Sequence, residues 1–320
     1  MKTKFAIGVL VQWYESSIIE YYIDSLKDAI ERYDGEVIVD VCIIADTTLE
    51  KPTSQEDKEL AIEKIDDICE EAFGYNYIRN EYEKLYTIAD YRREFNDKYC
   101  TEADVLVWGE SDMLVPKQSF VVLDHLHQNV DSPKYLATFS ICKMWDDSWK
   151  SLEHPEFTDK PFIEMDTKNW WSLRYTMSKE EMNRFNDKVE DIDVSIISPH
   201  KFNGCGLVIS SEVIKAGVNI PKSVFFIHED TAFMMMTNKV LGNIPQYHFK
   251  NILVVHNRKH PDKRTFVKGE ENLDKTNPGA QREVHNWYTP ANKMCEQNCY
   301  KLFDPNFKPF TWKDVFDSCK

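Results

Sequence analysis

The sequence has little positive charge, no long apolar run and no paired-cysteine motif, and each absence excludes a class of protein. Its 39 Lys and Arg are outnumbered by 54 Asp and Glu, which gives a net charge of −15. Proteins that coat nucleic acids are usually basic, so this balance argues against one. No stretch is long enough to span a bilayer. The eight cysteines include no CxxC pair, so we interpret them as reduced thiols of a cytoplasmic protein and not as a zinc site.

Several common catalytic and nucleotide-binding motifs are also missing. No GxGxxG follows the first apolar run, so a dinucleotide-binding fold is not expected. The chain has no GxxxxGKS or GxxxxGKT, which excludes a P-loop enzyme, and no GxSxG to anchor Ser-His-Asp chemistry. A metal-dependent phosphoesterase would need more His and Asp ligands than the sequence brings together.

In place of these motifs, the first 115 residues alternate short apolar runs with amphipathic stretches. Residues 5–12 are nearly all apolar, as expected of a strand buried on both faces, and this run is too short for a signal peptide. We predict further strands at residues 36–45, 75–79 and 104–108, and helices at residues 17–33 (capped by Ser16 and Ser17), 56–72 and 80–100. The alternation predicts an α/β fold with a central, mostly parallel, Rossmann-like sheet flanked by helices.

The second half of the chain returns to this pattern after a different segment. Residues 145–195 are rich in Trp and charged residues, and we interpret them as an insertion or lid. After it, FNGCGLVIS predicts a strand, followed by a helix that Ser211 caps and Gly217 ends. VFF predicts a short strand before a second helix, and residues 251–255 predict a last strand. Residues 271–320 are expected to form a C-terminal extension packed on the core.

Two acids interrupt the apolar run VLVWGESDMLV at residues 105–115. On an extended segment Glu110 and Asp112 would point to the same side, and two close carboxylates repel unless a cation lies between them. Oxygen ligands suit Mg²⁺ or Mn²⁺, whereas the alternative is a solvated turn after a strand. The pair follows a strand of the predicted parallel sheet, and ligands bind beyond the carboxyl ends of such strands.

A histidine and the basic residues after it form a second candidate site. His256 ends the last predicted strand, where a neutral imidazole could complete a carboxylate-bound Mn²⁺ site or lie at the surface of a basic loop. The stretch from Lys250 to Lys268 is the strongly basic segment of the chain, so we expect an anionic ligand there. Its side chains could neutralise phosphates, and we select Arg258, Lys263 and Arg264.

Three other positions each leave two roles open. Asp230 precedes an apolar helical run, so it either caps the helix or acts as a general base toward an attacking hydroxyl. Asp46 follows the second predicted strand and either accepts a hydrogen bond from a ligand or closes a turn. Trp13 either stacks on a base or packs in the core.

The order and position of these segments resemble the GT-A nucleotide-sugar glycosyltransferases, in particular their large inverting group. FAIGVLVQWYESS resembles that family's opening strand and loop, VCIIADTT its base-binding strand, and VLVWGESD its D-x-D strand with Glu in the first position. FNGCGLVISSEVIKAG resembles the acceptor-side strand and helix, FIHEDTAF the Glu-Asp motif, and VVHNRKHPDKR the late segment that carries a metal-binding His in some members. The resemblance covers residues 3–265.

The resemblance implies a GT-A catalytic domain over residues 1–270, with a donor half at 1–115, a lid at 145–195 and an acceptor half at 196–265. It implies metal-dependent transfer of a sugar from a nucleotide diphosphate, here a UDP-sugar, with inversion. Asp112, His256 and Glu110 would hold Mn²⁺ or Mg²⁺, and Asp230 would be the base, with Glu229 beside it. The implied donor-binding residues are Asp46, Trp13, Arg92, Glu110, Arg258, Lys263 and Arg264.

The acceptor stays open at this point. A glycan or lipid-linked sugar is the common acceptor of the family, and a hydroxymethylated pyrimidine in DNA, as in phage glycosyltransferases, is the second. From another class, the chain could be a catalytically inactive module that binds a sugar nucleotide or a glycan. The Glu at position 110 favours that alternative.

Overall fold

The structure, a computed structural model, describes residues 1–44, 55–74, 77–82, 85–141, 178–198, 204–256 and 287–320, without the side chains of 79–82. Most of the Trp-rich segment, residues 145–177, lies outside this description. Within the described ranges, no helix combines the length and the apolar character needed to cross a membrane.

Nine strands form one mixed sheet. They are β1 (Phe5–Gln12), β2 (Val37–Ile44), β3 (Tyr77–Tyr82), β4 (Val105–Trp108), β5 (Met113–Leu114), β6 (Leu136–Ile141), β7 (Val194–Ile196), β8 (Val208–Ser210) and β9 (Gln246–His256). The strand order is β3-β2-β1-β4-β8-β6-β9-β5, with β7 also paired to β9. The first four strands in this order run parallel to one another, as the sequence predicts. In the other half, β8 runs antiparallel to β4 and β6, whereas β9 is parallel to β6.

Helices cover both faces of the sheet, so the predicted α/β class is confirmed. They are α1 (Ile19–Glu31), α2 (Gln55–Phe73), α3 (Ile88–Tyr99), α4 (Ser119–Asn129), α5 (Lys179–Asn186), α6 (Ser211–Lys215), α7 (Glu229–Leu241), α8 (Tyr288–Tyr300) and α9 (Trp312–Ser318). The side chains of β1 alternate between two hydrophobic cores, one on each face of the sheet. Phe5 and Ile7 pack into the core formed with α1, α2 and α4, and Ala6 packs into the core formed with α3 and α6 to α9.

Several element boundaries differ from the sequence prediction. Ser16 and Ser17 do not cap α1, because Trp13–Glu15 form a 3-10 helix first, and α1 begins at Ile19 without a side-chain cap. In the 3-10 turn the Gln12 N–H donates to Glu15 Oε2 at 2.8 Å. The third predicted helix begins at residue 88 instead of 80, because residues 77–82 pair with β2 as a strand.

The short strand predicted at VFF is wrong. Residues 221–228 contain no strand, and the Arg93 guanidinium donates to the carbonyl oxygens of Ile220, Pro221 and Val224 at 2.9, 3.2 and 2.8 Å. A side chain therefore satisfies carbonyl groups that a neighbouring strand would otherwise have to satisfy. In contrast, the last strand is longer than predicted, since β9 runs from Gln246 to His256.

Candidate active site

A tight turn after β4 carries the first two acids. The Met113 N–H donates to the Glu110 carbonyl oxygen at 3.0 Å, so residues 110–113 form a β-turn. The extended geometry predicted for this segment is therefore wrong, and it is the turn that orients the two acidic side chains. Gly109 precedes the turn, and a Cβ there would lie 2.4 Å from the Tyr22 hydroxyl oxygen, so this close approach requires glycine.

The pairing of β5 with β9 brings a histidine to this turn. Met113 lies opposite His256 in the antiparallel register. The Nε2 atom of His256 lies 2.9 Å from Glu110 Oε2 and 3.1 Å from Asp112 Oδ1. Asp112 and His256 are only 7% and 5% exposed. The three side chains proposed as metal ligands from the sequence are therefore in one cluster at the carboxyl ends of β4 and β9.

A buried arginine connects this cluster to the start of α7. The Nη2 atom of Arg92 donates to Glu110 Oε1 at 3.0 Å and to the Gly204 carbonyl oxygen at 2.8 Å. Its Nη1 atom lies 2.5 Å from Glu229 Oε1. The guanidinium carbon is 4.8 Å from the centroid of the Trp108 ring, and the residue is 2% exposed. A role for Arg92 in binding a nucleotide-sugar donor stays a prediction. Its contacts in the structure join the turn that carries Glu110 to the start of α7, which carries Glu229.

The first turn of α7 presents the second pair of acids. His228 is the N-cap residue, so the capping alternative for Asp230 is wrong. His228 has a φ of 67°, a strained left-handed conformation, and its Nε2 lies 3.1 Å from Asn292 Oδ1 on α8. Glu229 is buried, whereas Asp230 is half-buried and its Oδ1 accepts the Thr231 N–H at 2.6 Å.

Burial and neighbouring charges separate the proton affinities of the two glutamates. Burial raises the pKa of Glu229 to about 7, against the opposing charge of Arg92, and the Asp230 carboxylate adds to the increase. Burial acts in the same direction on Glu110, but His256 and Arg92 outweigh it and hold its pKa at about 2. Glu110 is therefore an anion at neutral pH, where Glu229 can still hold a proton.

The donor atoms of the cluster fit a divalent cation. Four carboxylates, on Glu110, Asp112, Glu229 and Asp230, lie in this part of the structure. Arg92 forms ion pairs with Glu110 and Glu229, and Asp112 lies 3.1 Å from His256 Nε2. Such an excess of nearby negative charge favours binding of a cation. Carboxylate oxygens and an imidazole nitrogen are ligands that Mn²⁺ accepts, and Mg²⁺ accepts the oxygens.

A cysteine that the sequence reasoning missed also lies here. Among the described residues, Glu110, Cys205 and His256 each offer a ligand atom such that all three atoms lie within 4.8 Å of one another. Asp112 contacts His256 but is not a member of that group. The available signal was the spacing Gly204-Cys205-Gly206 ahead of a buried strand, because glycines at such a point indicate close approach of the backbone.

The remaining predicted site residues are buried or undescribed. Trp13 is 3% exposed, and the Lys58 ammonium lies 5.7 Å from the centroid of its ring, a position that favours packing over stacking on a base. Four of the proposed donor-binding residues lie outside the described residues, and their roles stay predictions. They are Asp46, Arg258, Lys263 and Arg264.

Comparison with known proteins gave structural likenesses only. No protein-family model and no curated protein sequence matches the chain. The crystal structure of residues 1–349 of S. aureus TarS is similar over 99% of this chain and 78% of that one, with 10% identity and a TM-score of 0.46. The structure of GalNAc-T7 with UDP, GalNAc and Mn²⁺ is similar over 99% of this chain and 55% of its own, with 10% identity and a TM-score of 0.49.

A third similar structure is glucosyl-3-phosphoglycerate synthase from Mycobacterium tuberculosis with Mn²⁺, UDP and glucosyl-3-phosphoglycerate. It shares 12% identity over 82% of this chain and 74% of its own, with a TM-score of 0.43. This chain therefore spans about half of GalNAc-T7 and about three quarters of the other two. At these identities and scores the likenesses assign neither a family nor a substrate to the chain.

Proposed function

We propose that the protein is a metal-dependent glycosyltransferase that moves a sugar from a UDP-sugar to an acceptor hydroxyl with inversion at the anomeric carbon. One observation carries the proposal. Glu110, Asp112 and His256 meet at the carboxyl ends of two strands, and Arg92 joins them to the helix start that bears Glu229 and Asp230.

The position of the cluster in the sheet supports a ligand site. The chain places β2 and β3 on one side of β1 and β4 on the other, so the strand order reverses between β1 and β4. Open α/β sheets bind ligands in the crevice outside the carboxyl ends of the strands at such a reversal. The turn with Glu110 and Asp112 begins two residues after the last residue of β4, at this crevice.

The metal-binding role belongs to Asp112, His256 and Glu110 in this proposal. A divalent cation bound there would supply positive charge to the leaving diphosphate. Arg92 holds one oxygen of Glu110, so that the other oxygen, Oε2, faces His256. We also propose contacts to the donor nucleotide and its phosphates from the residues that the sequence resemblance implies. They are Asp46, Trp13, Arg258, Lys263 and Arg264.

Asp230 is the proposed general base. Its Oδ1 accepts the N–H of Thr231, so we assign the proton from the acceptor hydroxyl to Oδ2. Glu229 is buried against Arg92 and therefore has a different role, which is to fix the orientation of the first turn of α7. The half-buried position of Asp230 leaves it accessible to an acceptor, whereas Glu229 is enclosed.

A transfer assay tests the proposal directly. The protein is incubated with Mn²⁺ and each of several UDP-sugars, and UDP release and the anomeric configuration of the product are measured. Glycans, lipid-linked sugars and DNA with hydroxymethylated pyrimidines serve as separate acceptor arms. We expect metal-dependent transfer with inversion, and expect Asp230→Asn to slow it by about 10²- to 10⁴-fold.

Two results would contradict different parts of this proposal. Donor binding without transfer or hydrolysis in any arm would favour the inactive binding module that the Glu at position 110 suggested. Near-normal turnover by Asp230→Asn, with turnover abolished in Asp112→Asn, would show that the assignment of the base and the inverting mechanism is wrong.

A further inference from the structure

Cys205 lies in the same cluster as the proposed metal ligands, although it is distant from them in the sequence. It is 3% exposed and directly precedes the segment that enters β8. Its sulfur, one oxygen of Glu110 and one ring nitrogen of His256 all lie within 4.8 Å of one another. A buried cysteine commonly serves as a small apolar side chain, but here its neighbours include two established types of metal ligand.

The backbone around the thiol is fixed against β4. The Trp108 N–H donates to the Leu207 carbonyl oxygen, and the Gly206 N–H donates to the Trp108 carbonyl oxygen, each at 2.9 Å. Gly206 has a φ of 74°, which favours glycine, and a Cβ on Gly204 would lie 2.6 Å from Arg92 Nη1. The two glycines therefore let this segment approach the acidic cluster closely enough to place a thiol in it.

The three donor atoms lie near enough to one another to be brought into a single coordination sphere. Glu110 Oε2 and His256 Nε2 are 2.9 Å apart, and no pair in the thiol-containing group exceeds 4.8 Å. A tetrahedral ion with a metal–sulfur distance of about 2.3 Å and metal–nitrogen and metal–oxygen distances of about 2.0 Å needs donors roughly 3.3 to 3.6 Å apart. Small side-chain movements would bring the three atoms to these separations.

We propose that Cys205 is a thiolate ligand of the cation held by Glu110 and His256, so that the site selects Zn²⁺ or Co²⁺ over Mg²⁺. A thiolate is a soft ligand that Zn²⁺ and Co²⁺ accept, whereas Mg²⁺ requires oxygen ligands. The thiol releases its proton to solvent when the ion binds. This inference rests on the metal site of the proposed function and not on the sugar-transfer step.

Titration of the metal-free protein with Co²⁺ alone tests the thiolate ligand. We expect a near-ultraviolet thiolate-to-cobalt charge-transfer band in the wild type. In Cys205→Ser the band is lost, and the Co²⁺ concentration at half-saturation rises by at least about tenfold, since even changes outside the ligand set cost about 10- to 100-fold. Cys319→Ser is the matched control, because Cys319 is only half-buried near the end of the chain, and it should leave the band unchanged.

A competition experiment and X-ray absorption on the wild type extend the test without relying on the folding of a variant. Zn²⁺ should displace Co²⁺ and remove the band, whereas Mg²⁺ in large excess should not. The fine structure above the zinc absorption edge should then show one zinc–sulfur distance of about 2.3 Å and zinc–nitrogen or zinc–oxygen distances of about 2.0 Å. A shell of nitrogen and oxygen alone, or a Co²⁺ complex without a band that depends on Cys205, would overturn the inference.

The outcomes separate this inference from the proposed function. A thiolate band in a protein that transfers no sugar would contradict the function and support the ligand. Sugar transfer with Mn²⁺ by a protein whose zinc shell contains no sulfur would contradict the ligand and support the function. Absence of Co²⁺ binding would overturn the inference, and the transfer assay would then show separately whether the function stands.

Discussion

The guanidinium of Arg92 compensates the charges of two carboxylates, those of Glu110 and Glu229. Glu110 and Glu229 each place a carboxylate oxygen within 3.0 Å of its guanidinium. Removal of one partner from a buried ion pair leaves an uncompensated buried charge, which is strongly destabilising. Lys cannot replace Arg here, since a single ammonium does not offer the planar array of donors that reaches both acids and the Gly204 carbonyl oxygen.

We therefore predict that Arg92→Met lowers the free energy of unfolding by about 3 kcal/mol, measured by urea denaturation. The control is Lys215→Met on α6, whose ion pair with Glu212 is 2.8 Å long and half-exposed on both sides. That change should cost about 1 kcal/mol or less. Equal losses in the two variants would contradict the central position of Arg92.

The raised pKa of Glu229 predicts a pH dependence of stability. The ordinary pKa of a glutamate is 4.5, and burial raises that of Glu229 to about 7. Between these values the folded protein keeps a proton that the unfolded chain has released. The stabilisation is complete below about pH 4.5 and is lost as the pH rises through 7, with a total of about 3 kcal/mol.

Urea unfolding of the wild type and of Glu229→Gln at several pH values between 4.5 and 7.5 measures this effect. Gln keeps the shape of the protonated acid, so we expect the wild type to lose stability relative to the variant as the pH rises. His248 acts in the opposite direction, because burial lowers its pKa to about 4, but it is common to both proteins and cancels in the difference. A difference that does not change with pH would show that Glu229 is ionised throughout.

At the scale of elements, α8 supports the start of α7. The contact between Asn292 Oδ1 and His228 Nε2 joins the two helices next to Glu229 and Asp230. Since His228 is strained, the contact helps to hold a conformation that the chain would otherwise relax. The acids at the start of α7 should therefore lose their alignment when the contact is removed.

We predict that Asn292→Ala lowers kcat by about fivefold, the equivalent of about 1 kcal/mol, and leaves the KM for the donor unchanged. This split is expected because Asn292 contacts His228, next to the proposed base, and does not contact the proposed metal ligands. Gln297→Ala, on the exposed face of the same helix, is the control and should behave as the wild type. A change in KM alone would assign the contact to donor binding.

The sequence allowed prediction of the elements that are buried on both faces, and of their common edge. β1 and β2 were predictable because continuous apolar runs of strand length have few alternatives. The placement of His256 near Glu110 followed only as an expectation from strand ends. Its actual cause, the two-residue strand β5, is too short to give a periodic signal.

Contacts that join distant segments were not predictable in the same way. Cys205 and Arg92 enter the site through the approach of β8 and α3, and nothing in their local sequence specifies the partner segment. The antiparallel direction of β8 is also set by tertiary pairing, so the parallel pattern of the first half did not extend to the second. The VFF run shows the same limit, since Arg93 binds its loop from another helix.

At the scale of the whole molecule, the net charge of −15 bears on the acceptor. Binding to DNA releases counterions from phosphates that lysine and arginine neutralise, so an acidic protein gains little from it. We predict that the protein is not retained on double-stranded DNA at physiological salt, as measured by column retention across a salt series. Retention that falls steeply with salt would instead favour a hydroxymethylated pyrimidine acceptor and a role for the basic segment.

The cluster of Glu110, Asp112 and His256 is proposed to bind a nucleotide diphosphate through a divalent cation. Thermal unfolding with UDP, with and without Mn²⁺, measures this directly, because a ligand at 100 times its Kd stabilises the folded state by about 2.7 kcal/mol. We predict that UDP raises the Tm of the wild type and of Asp230→Asn only when Mn²⁺ is present, and that Asp112→Asn shows no such rise. An increase in Tm that is the same without Mn²⁺, or that persists in Asp112→Asn, would contradict the claim.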